Sequence, residues 1–293
     1  MRFIVLTFMA TTLWATLAHA EDAKSWDPGI PLFEGKPPGY IADAGPETND
    51  GNGRFGNVTT PTLAVHLPPK ELRNGLAIVV CPGGGYSRVG IGPKGDAAIK
   101  YFVPRGVAIF VLKYRTRPPS KQVEVDALAD VQRAVRMVRH RAAEWGVDPD
   151  RIGMLGWSAG SHLILNLASH NDTGNAAAAD PIERQSCRPN FVAAMCPWPS
   201  RSKPANFPAT KQTPPILMCS ARDDKTAPTS FAKALRDAYI AAGIECTLHE
   251  VETGGHEAFT IEGPGEGGKW TETFWPWLSK IKMVQSELEP MTK

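Results

Sequence analysis

The sequence predicts an α/β fold, a mostly parallel central sheet with helices on both faces, and three observations carry that prediction. Several short runs are apolar without interruption, such as Leu76–Cys81 (LAIVVC), Val107–Leu112 (VAIFVL) and Phe191–Cys196 (FVAAMC). That is the pattern of strands buried on both faces rather than one. Between the runs lie stretches with apolar residues every three or four positions, the period of an amphipathic helix. The two patterns alternate along the chain, and such alternation folds into a parallel sheet covered on both sides.

Taken in order, Thr62–Leu67 alternates apolar and polar and predicts an edge strand, and Leu76–Cys81 and Val107–Leu112 predict buried strands. Asp126 to Trp145 predicts one helix, with Leu128, Val131, Val135, Val138, Ala142 and Trp145 on a common face. A strand at Arg151–Gly156 runs directly into a helix at Ala159–Ser169. Strands follow at Phe191–Cys196 and Ile216–Ser220, then a helix at Ser230–Ala242, a strand at Glu245–Val251 and a last helix at Thr271–Ile281. No internal repeat interrupts this series, so residues 58–293 predict one catalytic-sized domain. Residues 21–57 are rich in Pro, Gly, Asp and Asn and carry no sustained period, which predicts an extended lead-in over the domain surface.

Residues 1–20 have the form of a signal peptide: Arg2, the apolar run Phe3–Leu17, then Ala18-His19-Ala20 with small residues where a signal peptidase reads. Cleavage after Ala20 and export to the periplasm or beyond are expected. No later segment approaches eighteen uninterrupted apolar residues, so no membrane association is expected after cleavage. With 42% hydrophobic residues the chain can build a sizeable core, and 32 basic against 30 acidic residues, with no basic block, argue against a nucleic-acid partner. The five cysteines form no C-x-x-C pair and no zinc-type cluster. Cys81, Cys196 and Cys219 end apolar runs and read as buried thiols, whereas Cys187 and Cys246 are better placed for a disulfide. No oligomeric state can be read from this sequence.

The chemistry is concentrated in four places. Gly156-Trp157-Ser158-Ala159-Gly160 fits G-x-S-x-G between a strand and a helix, where a tight turn exposes a serine nucleophile above a helix N-terminus. This arrangement resembles the α/β-hydrolases, whose triad runs along the chain as Ser, then Asp or Glu, then His. A serine needs a base, and the base needs a carboxylate that holds its tautomer. His256, in the loop Gly254-Gly255-His256 after the last strand, is the histidine in the required position, and His162 reads as a structural hydrogen-bonding residue. Asp223 and Asp224 both follow the strand Ile216–Ser220. Related hydrolases place a proline four residues after the acid, which favours Asp224 through Pro228, with Asp223 the alternative. Finally, Cys81-Pro82-Gly83-Gly84-Gly85-Tyr86 follows a buried strand, and its glycines let backbone N–H groups turn toward an oxyanion. Gly84, Gly85 and Ala159 are the expected donors. A phosphate loop is excluded, because the G-x-G-x-x-G spacing and a following lysine-serine are both missing.

With these residues placed, the chain resembles the bacterial carbohydrate-esterase branch of the α/β-hydrolases, the acetylxylan and feruloyl esterase-like enzymes. The matching stretches are Val80–Tyr86, Phe110–Arg115, Asp148–Gly153, Gly156–Gly160, Arg188–Phe191, the Asp224 loop and Gly254–His256. The resemblance implies a serine esterase needing no metal or organic cofactor, acting on a small acyl ester or an acetylated polysaccharide such as xylan. Tyr86, Trp157 and Trp198 adjoin the motifs and are expected to contact substrate; core packing is the other reading of Trp198. Two departures bear on the pocket: Ser161 stands where such enzymes often have glycine, and Cys196-Pro197-Trp198-Pro199 where they often have Tyr-Pro. A general carboxylesterase, a lipase-like enzyme or a peptidase on the same fold is the alternative, and a noncatalytic carbohydrate-binding relative is a further one.

Overall fold

The computed structural model describes residues 24–26 and 29–285, and the expected signal segment lies outside them. In chain order the strands are β1 (Gly29–Pro31), β2 (Thr48–Asn49), β3 (Arg54–Gly56), β4 (Thr62–His66), β5 (Gly75–Cys81), β6 (Arg88–Gly90), β7 (Ala108–Lys113), β8 (Val147–Trp157), β9 (Phe191–Met195), β10 (Ile216–Ala221) and β11 (Cys246–Val251). The helices are α1 (Ile91–Phe102), α2 (Val123–His140), α3 (Ala142–Trp145), α4 (Ala159–Ser169), α5 (Thr229–Ala241) and α6 (Trp270–Lys280).

Eight strands form one sheet in the order β1-β4-β7-β5-β8-β9-β10-β11. From β7 to β11 every neighbouring pair is parallel, while β4 and β1 add antiparallel strands at one edge. The apolar runs supply the middle of this sheet, with Ile78, Val79, Val80, Ile109, Phe110, Met154 and Leu155 all buried. Each such side chain contributes about 1.5–3 kcal/mol on burial, which is why these segments take the centre and not the edge. On the helical layers, α2 packs on α4, and α1 meets α6 where the Phe102 and Phe274 rings lie 5.7 Å apart. Among the described residues no helix is long and apolar enough to cross a membrane.

The strand order matters for the site. The chain moves from β5 outward to β7, then returns across β5 to β8 and continues the other way through β9, β10 and β11. The direction of winding therefore reverses between β5 and β8. In open parallel sheets a crevice opens at the carboxyl ends of the strands where the order reverses. The glycine turn after β5 and Ser158 after β8 sit at that place.

Five points of the sequence reading need correction. The lead-in contributes strands β1, β2 and β3, and its Leu32 and Phe55 are core residues. Because β1 pairs outside β4, Thr62–His66 is not the edge strand. The long helix begins at Val123 and breaks at Arg141 into α2 and α3, where Gly146 in the left-handed region (φ 67) ends the second piece. The helix α1 was hidden by Gly92, Pro93 and Gly95. Pro93 falls in the first turn, where a missing N–H breaks no helical bond, and a Cβ at Gly95 would stand 2.8 Å from that of Ser25. The five cysteines are all free and buried, so Cys187 and Cys246 form no disulfide.

Candidate active site

The carboxyl ends of β5, β8, β10 and β11 each deliver one part of the site. At the end of β8 the backbone of Ser158 takes φ 54 and ψ −117, a conformation that side chains other than glycine rarely adopt. The glycines around it make the turn possible. A Cβ on Gly156 would lie 2.7 Å from the carbonyl of Gly160, and one on Gly160 would overlap the carbonyl oxygen of Cys81. The start of α4 is thereby drawn against the end of β5, and Ser158 is held at the carboxyl end of the central strands, bordering the cleft.

His256 follows β11 in a short 3-10 turn, Gly255–Glu257. Its Nε2 is 2.8 Å from Ser158 Oγ, and its Nδ1 is 2.7 Å from Asp224 Oδ2. A carboxylate only accepts, so Nδ1 carries the proton and Nε2 is free to accept the serine hydrogen. Asp224 is buried, and its other oxygen accepts the backbone N–H groups of Thr226 and Ala227 at 2.8 and 2.9 Å. Those bonds close the turn that leads to Pro228 at the cap of α5, which is the physical content of the four-residue spacing. Asp223 is exposed and turns away. It accepts the N–H groups of Gly254 and Gly255 at 3.1 and 2.8 Å, tying the loop of the acid to the loop of the base. Those two amides hold its carboxyl below the usual range.

The glycine turn lies on the other side of Ser158. A Cβ on Gly83 would stand 3.1 Å from that of Ser158. The turn's carbonyls are occupied: Gly83 O accepts from Gly90 N at 2.9 Å, and Gly84 O from Ser87 N and Arg88 N at 3.2 Å. The amides of Gly84 and Gly85 have no backbone acceptor among the described residues, and Ala159, first residue of α4, has an N–H without a helical partner. Gly84 and Gly85 both have positive φ, 142 and 61.

Tyr86, expected to contact substrate, is instead buried beneath this turn at 1% exposure. Its hydroxyl is 2.9 Å from Nδ1 of His162, whose Nε2 is 3.1 Å from Ser202 Oγ. Burial raises the Tyr86 phenol well above its usual value and lowers His162. Phenol and imidazole are both neutral, and the ring bridges the Tyr86 and Ser202 hydroxyls through its two nitrogens. Because His162 is one turn along α4 from Ser158, this bridge links the glycine turn to the helix of the nucleophile. The sequence marked His162 as structural but offered no signal for its partners, which lie 76 and 40 residues away.

Ser158 and His256 open into a cleft of about 660 Å³, lined also by Trp157, Trp198, Thr226, Arg54, Arg88 and Lys94. Trp157 is buried, with Nε1 donating to Phe259 O at 2.8 Å. Trp198 is half-buried, its ring 6.4 Å from that of Tyr86, so it both packs on the interior and borders the cleft. A larger cleft of about 890 Å³, bordered by Tyr101, Arg105, Lys269 and Trp275, contains none of these groups. Among the described residues no three His, Cys, Asp or Glu side chains are grouped to hold a metal.

A mostly parallel sheet with a strained serine at a strand-to-helix turn, and a histidine and carboxylate from later loops, is the arrangement of the α/β-hydrolase fold. Comparison with known proteins shows that the chain is similar to esterases of that fold. The BD-FAE family model matches residues 63–198. An acetylxylan esterase of Xylanibacter ruminicola is 28% identical over 218 residues, covering 64% of this chain and 42% of the relative. Endo-1,4-beta-xylanase B of Butyrivibrio fibrisolvens is 29% identical over 211 residues, covering 61% of this chain and 32% of the relative. The chain thus spans less than half the length of these two curated relatives. The crystal structure of an acetyl ester-xyloside bifunctional hydrolase from Caldicellulosiruptor lactoaceticus superposes with a TM-score of 0.72 at 26% identity, over 87% of this chain and 97% of that one.

Proposed function

We propose that this chain is an exported serine esterase that removes short acyl groups, acetyl above all, from a xylan-type polysaccharide. The observation that carries the reading is the unbroken line Ser158 Oγ, His256 imidazole, Asp224 carboxylate, at 2.8 and 2.7 Å, opening into a cleft beside the glycine turn. Ser158 attacks the ester carbonyl while His256 Nε2 takes its proton, and Asp224 stabilises the imidazolium. The N–H groups of Gly84, Gly85 and Ala159 meet the developing oxyanion. The imidazolium then protonates the departing sugar oxygen, leaving an acyl-enzyme. Water, deprotonated by the same histidine, releases the acid and restores Ser158. The relatives named for acetylated xylan and for xylan support the polysaccharide, and the signal-like residues 1–20 support export.

The test is acetate release from acetylated xylan, with p-nitrophenyl acetate as the simple ester. Ser158→Ala should fold normally yet lose on the order of 10⁶ in kcat, because the triad acts as a unit. A variant keeping a tenth of the activity would remove Ser158 from the mechanism. Hydrolysis of p-nitrophenyl acetate without release from xylan would assign a general carboxylesterase instead.

A further inference from the structure

Three cations line the cleft that contains Ser158 and His256: Arg54, Arg88 and Lys94. One carboxylate, Glu257, lines it with them and already pairs with Lys94 at 2.8 Å. Lys94 also donates to Thr260 Oγ1 at 3.1 Å and lies 5.7 Å from the Trp157 ring, so the protein itself satisfies it. The two arginines are different. Arg54 reaches only Asp50, at 3.4 Å, with both side chains largely in solvent. Arg88 is exposed, and its guanidinium has neither an ion-pair nor a hydrogen-bond partner among the described residues. In a chain whose net charge is only +2, one unpartnered guanidinium and one held only by a solvent-exposed 3.4 Å pair line the same cleft.

Their placement is built by the fold. β3 and β6 pair antiparallel, with Arg54 opposite Gly90 and Gly56 opposite Arg88, so both arginines rise from the small sheet beside the glycine turn. A Cβ on Gly84 would stand 3.1 Å from Arg88 Cγ, and one on Gly90 would stand 4.0 Å from Arg54 Cγ. The stems of both arginines therefore run alongside the glycine turn and its β6 neighbour. Arg117 donates to Gly85 O at 3.3 Å, bracing the turn without lining the cleft. A neutral acetylated sugar has no use for this charge. An oxyanion on the sugar does, because the guanidinium fork matches a carboxylate or sulfate with two parallel hydrogen bonds.

We propose that Arg88 and Arg54 form a subsite for an anionic substituent, a carboxylate or sulfate carried by the saccharide near its acyl group. The proposal deepens the esterase reading and rests on it. Its occupant is an acylated acidic oligosaccharide, bound with the acyl carbonyl at Ser158 and the anion over the β3–β6 edge. Both arginines face solvent, so the preference is a salt-sensitive one of about tenfold.

The experiment uses Ser158→Ala protein, which binds without turnover, titrated calorimetrically with three acetylated xylo-oligosaccharides of equal length. One is neutral, one carries a uronic acid and one carries a sulfate. At low salt at least one anionic ligand should bind about tenfold more tightly than the neutral one, and most of that margin should vanish in 0.5 M NaCl, about three times physiological ionic strength. Arg88→Glu, added to Ser158→Ala, should reverse the order. If its melting temperature falls, Arg88→Gln and Arg54→Gln give the same reading as a reduced margin. The tighter of the two anions identifies the substituent. Equal affinity for all three ligands, or a margin that survives Arg88→Glu, overturns the subsite. Hydrolysis of p-nitrophenyl acetate by the protein with Ser158 intact is measured beside it. Its absence overturns the esterase reading, whereas activity with equal affinities overturns the anion subsite alone.

Discussion

Replacing Asp224 with asparagine preserves its shape but exchanges one acceptor oxygen for a donor. The Thr226 and Ala227 amides claim the remaining oxygen, which leaves the new NH₂ facing Nδ1 of His256. The ring must then carry its proton on Nε2, where it can no longer accept from Ser158. Asp224→Asn should lose about 10⁴ in kcat on a simple acetate ester. Asp223→Asn keeps one acceptor for Gly254 and Gly255 and should stay within about tenfold, which the same assay checks. Sequence favoured Asp224 only through its spacing to Pro228, since adjacent aspartates on a loop look alike until their burial is known. The two glycines also separate. Gly84→Ala drives its Cβ into the carbonyl oxygen of Arg88 and should cost about 10²–10³ in kcat, the scale of one lost oxyanion donor. Gly85→Ala meets nothing within 4 Å and carries only the strain of φ 61, so melting temperature should fall slightly and kcat far less. Kinetics and melting curves on both variants decide between them.

At the scale of elements, α4 is coupled to the glycine turn through His162, Tyr86 and Ser202. Burial depresses the His162 pKa, opposed by the charge of Glu124. The unfolded chain takes up a proton near the ordinary histidine value of about 6.5 that the folded ring refuses. The stability this contributes is complete above that pH and is lost as pH falls from there toward the folded value. The melting temperature should therefore drop between pH 7 and pH 5, and His162→Gln should flatten that drop. Some slope should remain, because burial also depresses His66 and His249. The elements themselves were largely legible, since continuous apolar runs and helical periods survive in the primary sequence. The helix α1 was not, because Gly92, Pro93 and Gly95 serve close packing and a first turn, and neither requirement is visible locally. Equally, the Tyr86–His162 pair joins residues 76 positions apart and leaves no local trace.

Over the whole molecule, the segment before the parallel sheet belongs to its core. Leu32 is fully buried, its carbonyl accepts from Arg133 Nε of α2 at 2.8 Å, and β1 pairs along β4. Leu32→Ala should destabilise by about 2–5 kcal/mol, the usual range for a large-to-small core change, read from chemical denaturation. A surface-lying segment would lose almost nothing. Its strands are two or three residues long, too short for alternation to register, which is why composition alone suggested a lead-in. The order of strands was likewise beyond the sequence, yet it decides which loops meet. β5 and β8 become neighbours only because the chain returns across β5 after β7.

Cys81, Cys187 and Cys219 are wholly buried, and burial raises all three thiols, so hardly any thiolate exists at neutral pH. No disulfide ties the described fold together, so its stability rests on packing and hydrogen bonds. A thiol reagent can reach these sulfurs only when the surrounding layers part. Its rate of uptake is then a clock for the opening of the sheet, ticking without any attached dye or engineered probe.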